Sequence, residues 1–182
     1  DILRLAGDAD AEKKAKTIFD LEMKIARAHA NVVDSQDIHK ANNPWASADY
    51  AKKAPGIDWT AFFDAAGLAK QTTLYAWQPD AIAKLSALVA SEPLQAWKDY
   101  LRFHAINHSA DLLPKAYAEA NFAFNGTQLQ GTTQQRDRWK RAIGATNGAL
   151  GDAIGQLYVK QFFPASSKAQ VEGMVSNILA AF

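Results

Sequence analysis

The 182-residue chain contains no cysteine. Disulfide bonds, thiolate zinc sites and cysteine nucleophiles are therefore excluded. Glutamate is also scarce, since only five of the 19 acidic residues are Glu, at positions 12, 22, 92, 119 and 172. This scarcity limits the side chains that could serve as zinc ligands or as general acids and bases.

Net charge and long apolar runs are lacking as well. The formal charge is +1, so no overall field favours a nucleic acid or an anionic membrane as a partner. No apolar run approaches the roughly 18 residues of a membrane span. The segment Asp1–Arg4 lacks the basic and apolar regions of a signal peptide, and we expect it to lie inside a longer chain. Apolar residues make up 48% of the sequence, which predicts one globular domain over residues 1–182, with no nucleic-acid partner and no membrane segment.

The six prolines stand only where helices should begin or end. Proline costs about 3 kcal/mol inside a helix but is tolerated in its first turn, so this placement predicts an all-α, multi-helix fold. The first long helix should run over Ala11–Asn31, with Asp10 as its N-cap. Its buried face should comprise Ile18, Leu21, Ile25, Ala28 and Val32. Further helices are predicted over Ala46–Lys53, Asp58–Ala66, Asp80–Ser91, Leu94–Leu113, Pro114–Asn125, Thr133–Phe163 and Ser166–Ala181.

Two connecting segments have their own predictions. Asp34–Asn43 should be a polar connection, and Thr72–Trp77 is the one convincing strand pattern, so at most one short strand is expected. A single strand cannot satisfy its own hydrogen bonds, and its partner must lie elsewhere, inside or outside these 182 residues. In the helix over Asp58–Ala66, we expect Trp59, Phe62 and Phe63 to point inward.

Four glycines at spacings of four, three and four share one face of the helix predicted over Thr133–Phe163. They are Gly144, Gly148, Gly151 and Gly155. Four glycines cost a helix on the order of 3–4 kcal/mol relative to alanine, so a compensating role is expected. Close packing of another helix against the glycine face is favoured, and a helix that bends when a larger molecule opens is the alternative.

His104 and His108 have the four-residue spacing that lets two imidazoles share a metal ion. A zinc peptidase motif also needs Glu directly after the first His, and Ala105 stands there. None of the five glutamates is followed four residues later by Asp. We therefore favour histidines that are hydrogen-bonded between helices, on an apolar stripe with Leu94, Trp97, Leu101 and Leu112, and we predict no catalytic, cofactor-binding or metal-binding residue in this chain.

A basic cluster surrounds Trp139, formed by Arg136, Arg138, Lys140 and Arg141. Such a cluster could grip a nucleic acid, but no nucleic-acid motif accompanies it. A solvated helix face with a buried Trp139 is favoured.

Three segments together resemble the neprilysin family of zinc metallopeptidases, which includes endothelin-converting enzyme and bacterial oligopeptidases. The first is Ala15–Glu22 followed by Ile25-Ala26. The second is Asn42–Trp45 leading to Ala54–Trp59. The third runs from Gly131-Thr132 through Arg138–Arg141 and Asn147–Leu150 to Gly155–Val159.

The resemblance covers the whole chain and implies an internal fragment of the family's N-terminal helical lobe. It implies a parent that is an exported zinc metalloendopeptidase, periplasmic, secreted or surface-anchored, with small peptides as substrates. The family's zinc ligands lie C-terminal to this stretch, so zinc belongs to the parent and the partner is the catalytic lobe of the same polypeptide. The chain alone is expected to be inactive and to gate substrates sterically.

Two other functions remain open. The chain could be a free-standing helical interaction module that docks through its glycine face or through Thr72–Trp77. It could also be a metal-binding helical protein that uses His104 and His108.

Overall fold

The computed structural model describes residues 1–181, and the all-α class is confirmed. The α-helices are α1 (Ile2–Leu5), α2 (Ala11–Ala28), α3 (Val32–Gln36), α4 (Ile38–Ala41), α5 (Tyr50–Lys53), α6 (Trp59–Ala65), α7 (Pro79–Ser91), α8 (Leu94–His108), α9 (Lys115–Asn121), α10 (Arg138–Phe162) and α11 (Ala165–Ala181). Two 3₁₀ turns, Ser47–Asp49 and Ala110–Leu112, and a π-helix, Phe122–Leu129, complete the helical elements. The strands are β1 (Pro44–Ala46) and β2 (Thr73–Tyr75).

The strand predicted over Thr72–Trp77 is present as β2, and its partner lies within the chain. β1 pairs with β2 in antiparallel register, with Trp45 opposite Leu74. The helix predicted over Ala46–Lys53 is correspondingly shorter, because Ala46 belongs to β1 and the next three residues form a 3₁₀ turn. The Ser47 N–H donates to the carbonyl of Thr72 at 2.9 Å, which continues the pairing beyond the strand.

The segment predicted as the end of the first long helix and a polar connection folds differently. α2 ends at Ala28, and Asn31 is the N-cap of α3, where its side chain accepts a hydrogen bond from the Asp34 N–H at 2.8 Å. Asp37 caps α4 in the same way through the His39 N–H at 2.9 Å. Local capping by short polar side chains therefore forms two short helices. Val32, predicted to be buried, is 72% exposed.

A first core surrounds Tyr50, with Ala54, Trp59, Phe63 and Ala76 buried against it. The rings of Trp59 and Phe63 lie 5.0 and 5.1 Å from the Tyr50 ring, in tilted and edge-to-face arrangements. Phe62, predicted to point inward, is half exposed.

The loop that enters α6 is held by one carbonyl. The Ala54 oxygen accepts hydrogen bonds from the Trp59 indole N–H and from the Ser86 hydroxyl, both at 2.7 Å. The Ser86 hydroxyl in turn accepts from the Ile57 N–H at 2.9 Å. This network explains why a small polar side chain is fully buried in α7.

A second core joins α2 to α1 and α8. Leu3, Ala11 and Ile18 are buried there, with Tyr100 and Phe103 of α8 packed against them. Leu21 and Ala28 continue the buried face of α2, as predicted.

The apolar stripe predicted on α8 is wrong, because its leucines lie on the surface. Leu94, Leu101 and Leu112 are 68%, 63% and 80% exposed, whereas Ala96 and Asp99 are the buried residues of the helix. The helix also ends at His108, five residues before the predicted Leu113.

The chain divides after Asn125 into two units. In the second, α10 begins at Arg138, with Asp137 at its N-cap, and Leu150 interrupts it with a non-helical backbone (φ −128°, ψ 19°). No residue of α10 is buried, and the same holds for Ala165–Ala181 in α11. The single helical domain over residues 1–182 stays a prediction.

Candidate functional site

His104 is engaged in a contact between helices. Its Nε2 lies 2.8 Å from the Glu22 Oε1 of α2, and its ring lies 4.3 Å from the Tyr100 ring. The interpretation of this histidine as an interhelical hydrogen-bonding residue agrees with the structure. Glu22 therefore occupies the Nε2 of His104, and only the Nδ1 of this ring would be left for a metal ion.

His108 lies one turn further along α8 and is exposed. Within residues 1–181, no three His, Asp or Glu side chains converge in a group that could hold a metal ion. The prediction that the chain carries no catalytic or metal-binding residue stays a prediction.

Asp8 is the centre of a charged cluster between α1, α2 and α8. Its carboxylate, which is only 5% exposed, accepts hydrogen bonds from Lys14 and from Arg102. Hydrogen bonds from Lys14 and Arg102 hold the pKa of Asp8 below its usual value, and the bond to Asp8 raises the pKa of Lys14. Arg102 also donates to the Ala6 carbonyl at 3.2 Å, so the cluster fastens the loop after α1 to α8. These charges are compensated by one another, which favours a structural role.

A cleft of about 540 Å³ in the first unit lies between α1, α2, α8, the end of α9 and the start of the π-helix. Apolar side chains such as Ile18, Phe19 and Phe124 form much of its wall. Its polar groups include His104 with Glu22, and Asn121, whose amide donates to the Asn107 side chain at 2.8 Å. These polar groups bind one another, and the cleft therefore presents packing surface rather than an arrangement for acid–base chemistry.

The second unit carries a large exposed apolar surface on α10 and α11. Thirteen large apolar side chains of these helices are at least 37% exposed: Trp139, Ile143, Leu150, Ile154, Leu157, Tyr158, Val159, Phe162, Val171, Met174, Val175, Ile178 and Leu179. We call these thirteen residues the α10–α11 apolar surface. Exposed apolar area of this kind marks a site where another polypeptide surface packs.

Trp139 differs from its prediction. It was expected to be buried beneath a basic helix face, but it is 61% exposed, with the Lys140 ammonium 5.3 Å from the centre of its ring. The reason is that no residue of α10 is buried in the described structure.

The glycine face of α10 is open. A Cβ added at Gly144, Gly148, Gly151 or Gly155 would meet no described atom within 4 Å. The close helix packing favoured for this face is therefore not made by residues 1–181.

Several of these groups were not identified from the sequence. Glu22 is 82 residues from His104, and Asp8 is 94 residues from Arg102, so no local pattern links them. Trp139 of α10 did carry a signal, since it was expected to be buried against another surface.

A model of peptidase family M13 matches residues 1–182. Among curated proteins, the chain is 24% identical to Neprilysin-3 of Drosophila melanogaster over all of the chain and 24% of that protein. It is 25% identical to endothelin-converting enzyme-like 1 of Mus musculus, over 97% of the chain and 23% of that protein. It is 22% identical to the neutral endopeptidase of Lactobacillus helveticus, over all of the chain and 28% of that protein.

Solved structures of the zinc metalloprotease Zmp1 of Mycobacterium tuberculosis are also similar. The structure in complex with an inhibitor has a TM-score of 0.85 and 33% identity, over 99% of this chain and 28% of that one. The open state has a TM-score of 0.84 and 34% identity, over 96% and 27% of the two chains.

The chain thus spans about a quarter of the length of the relatives that it matches. The family match extends over every residue, and the helical fold agrees with that of the Zmp1 structures. The chain therefore belongs to peptidase family M13, a family of zinc metallopeptidases, and represents a part of its N-terminal region.

Proposed function

We propose that this chain is the substrate-gating, non-catalytic portion of an exported zinc metalloendopeptidase that hydrolyses small peptides. The parent works outside the cytoplasm, in the periplasm, secreted or anchored at the surface. Its helices form a wall against the catalytic lobe of the same polypeptide. The contribution of the wall is steric, since it admits short peptides and excludes folded proteins.

The α10–α11 apolar surface is the observation that carries this proposal. None of its thirteen large apolar side chains is buried. Leaving apolar area in contact with water costs a free energy of roughly 25 cal/mol per Å². The relatives that the chain matches are about four times longer, so they contain polypeptide that could cover such a surface. Helices that expose so many apolar side chains fit a lobe that packs against another lobe.

Zinc chemistry is assigned to the parent and not to this chain. The donor set here does not fit a catalytic zinc, because Ala105 stands where the motif needs its glutamate and no three His, Asp or Glu side chains converge among residues 1–181. No step of peptide hydrolysis is therefore derived through residues of this chain.

The size of the substrate tests the gating function. We would measure kcat/KM of the parent enzyme for nested peptides of increasing length and for a folded protein. We expect efficient cleavage of short peptides and none of the folded protein. Equal kcat/KM for short peptides and for long or folded chains would contradict gating.

A variant links this selectivity to the helices described here. Leu157→Glu with Phe162→Glu places charges on the α10–α11 apolar surface and should weaken its packing in the parent. We expect the ratio of long-peptide to short-peptide cleavage to rise, while Gln156→Glu on the same helix leaves it unchanged. Leu157→Ala is the milder variant, and an unchanged ratio in a folded, active Leu157→Ala enzyme would count against the proposal.

A free-standing interaction module is the second candidate, because an exposed apolar surface would serve it equally well. The coding sequence downstream of residue 182 separates the two. A His-Glu-x-x-His motif there supports the peptidase, and its absence supports the module.

A further inference from the structure

The middle of α10 combines two independent features. The sequence places Gly148 and Gly151 one turn apart, and the backbone departs from helical geometry at Leu150, between them. The helix therefore consists of two arms, one on each side of Leu150.

The cause of this break lies in the helix itself. Sharp bends in helices usually arise at proline, at small residues, at π-bulges or where a side chain inserts into the hydrogen-bond ladder. No proline stands within α10, and its interior is α-helical apart from Leu150. Apart from the adjacent residues and the backbone of α10 itself, no described atom lies within 4 Å of a Cβ built at Gly148 or Gly151, so no other element packs against either glycine. Glycine is the remaining cause, because it adds no side-chain barrier to backbone rotation and weakens the helix on both sides of Leu150.

A neighbouring side chain favours the same bend. The Thr146 hydroxyl donates to the Ala142 carbonyl at 2.9 Å, one turn before the break. Such a bond from a threonine to the carbonyl four residues earlier often bends a helix.

We propose that α10 is a hinge that bends at Gly148–Gly151 and lets its two arms change their angle. Each arm carries part of the α10–α11 apolar surface, Trp139 and Ile143 on the first and Leu157 and Phe162 on the second. A bend between the arms therefore moves two apolar contact regions relative to each other. The use of this motion, to open and close the wall around the substrate, rests on the proposed function, whereas the bend itself does not.

The absence of cysteine makes the hinge directly measurable. Ala142→Cys and Lys160→Cys place two nitroxide labels on exposed positions 18 residues apart, one in each arm. Eighteen residues are five helical turns, so in a straight helix the labels share a face and lie about 27 Å apart along the axis. Pulsed electron paramagnetic resonance on the 182-residue chain then gives the distribution of their separation. We expect a broad distribution that departs from the straight-helix separation.

A matched pair of double variants tests the position of the hinge. Gly148→Ala with Gly151→Ala fits without a clash and should narrow the distribution and shift its mean toward the straight-helix value. Gly144→Ala with Gly155→Ala makes the same change of composition outside the bend and should leave the distribution as it is. An unchanged distribution in the first pair, or an equal shift in both pairs, would overturn the proposal.

The parent enzyme separates the hinge from its use. There, Gly148→Ala with Gly151→Ala should lower kcat for peptides, and the control pair should not. Narrowing of the label distances with unchanged kcat would leave the hinge established and remove its role in turnover. A parent without peptidase activity would refute the proposed function while the distance measurement still stood.

Discussion

Gly56 lies against the backbone of Ser86 so closely that no side chain fits between them. A Cβ at position 56 would overlap the Ser86 carbonyl oxygen and lie 2.6 Å from its carbonyl carbon. Gly56 also has a φ of 131°, a conformation that residues with a side chain rarely adopt. Glycine therefore stands in the loop between α5 and α6 where the backbone of α7 passes directly beside it.

Gly56→Ala should destabilise the chain strongly. The clash is with backbone atoms that cannot move aside without breaking the Ser86 hydrogen bonds, so we expect a loss of about 3 kcal/mol or more in the free energy of unfolding. Gly67→Ala is the control, because Gly67 has a φ of 71° but open space around it, and should cost only about 1–2 kcal/mol. Urea unfolding followed by circular dichroism measures both. Similar losses in the two variants would show that the close approach to Ser86 is unimportant.

The Asp8 cluster should make stability depend on pH in the acid range. Because the pKa of Asp8 is lower in the folded chain than in the unfolded chain, its contribution is present above the unfolded value of about 4 and is lost as the pH falls through the folded value. Asp8→Asn should therefore reduce the fall in unfolding free energy as the pH decreases below about 4. Urea unfolding at a series of pH values measures this dependence.

Asp10→Asn is the matched control for this experiment. Asp10 is exposed, and its side chain makes no cap hydrogen bond at the start of α2. We expect the acid dependence of this variant to follow that of the original chain. An unfolding free energy that stays flat with pH in both variants would contradict the assignment to Asp8.

At the alkaline end, the raised pKa of Lys14 predicts that its contribution to the unfolding free energy is lost only above about pH 10.5.

Zinc should not bind stoichiometrically to residues 1–182. Glu22 occupies the Nε2 of His104, and no three His, Asp or Glu side chains converge in a metal-binding group among residues 1–181. Calorimetric titration of zinc into the chain should give no saturable heat, and His104→Ala should leave the titration unchanged. One equivalent of zinc bound by the original chain and lost in His104→Ala would support the metal-binding alternative.

The chain with zinc added should also cleave no peptide. Cleavage that survives controls for contaminating peptidases would contradict its non-catalytic role.

The two apolar surfaces of the chain should respond differently to truncation. Ile18 is 4% exposed, and Ile18→Ala should cost about 2–5 kcal/mol in the 182-residue chain. Leu157 is 69% exposed, and Leu157→Ala should change the unfolding free energy by less than about 0.5 kcal/mol in the same chain. In the parent, where we propose that the catalytic lobe covers it, Leu157→Ala should cost about 2 kcal/mol or more. Equal effects of Leu157→Ala in the chain and in the parent would argue against that interface.

Local patterns predicted most of the helices, and non-local contacts account for the errors. Proline positions and the three-and-four spacing located α2, α6, α7 and α11 to within a few residues, because both features act within one turn. β1 was not predicted, and its last residue Ala46 was assigned to a helix, because its pairing with Thr73–Tyr75 joins segments nearly 30 residues apart. Asn31 was predicted as the last residue of the first long helix. Its side chain instead caps α3, and this hydrogen bond forms only after the chain has turned away from α2.

The candidate site shows the same division. The spacing of the histidines and the presence of Ala105 are visible in the sequence. They led to the prediction that His104 is hydrogen-bonded between helices. Its partner Glu22 could not be identified, because α2 and α8 meet only in the folded chain. The prediction that Trp139 is buried was wrong for a different reason. An apolar helix face indicates that another surface should cover it, but the sequence does not show whether residues 1–181 provide that surface.

The two cores differ in how far apart along the chain their members lie, and this has a consequence for the order of folding. The core around Tyr50 draws its residues from Trp45 to Ala83, so closing it requires only short loops. The bond from the Tyr117 hydroxyl to the Leu5 carbonyl joins residues 112 positions apart. Since long loops cost more entropy to close, the Tyr50 core should assemble first and α1 should dock last. Amide groups of α6 would then gain protection from solvent exchange before those of α1 in a refolding experiment.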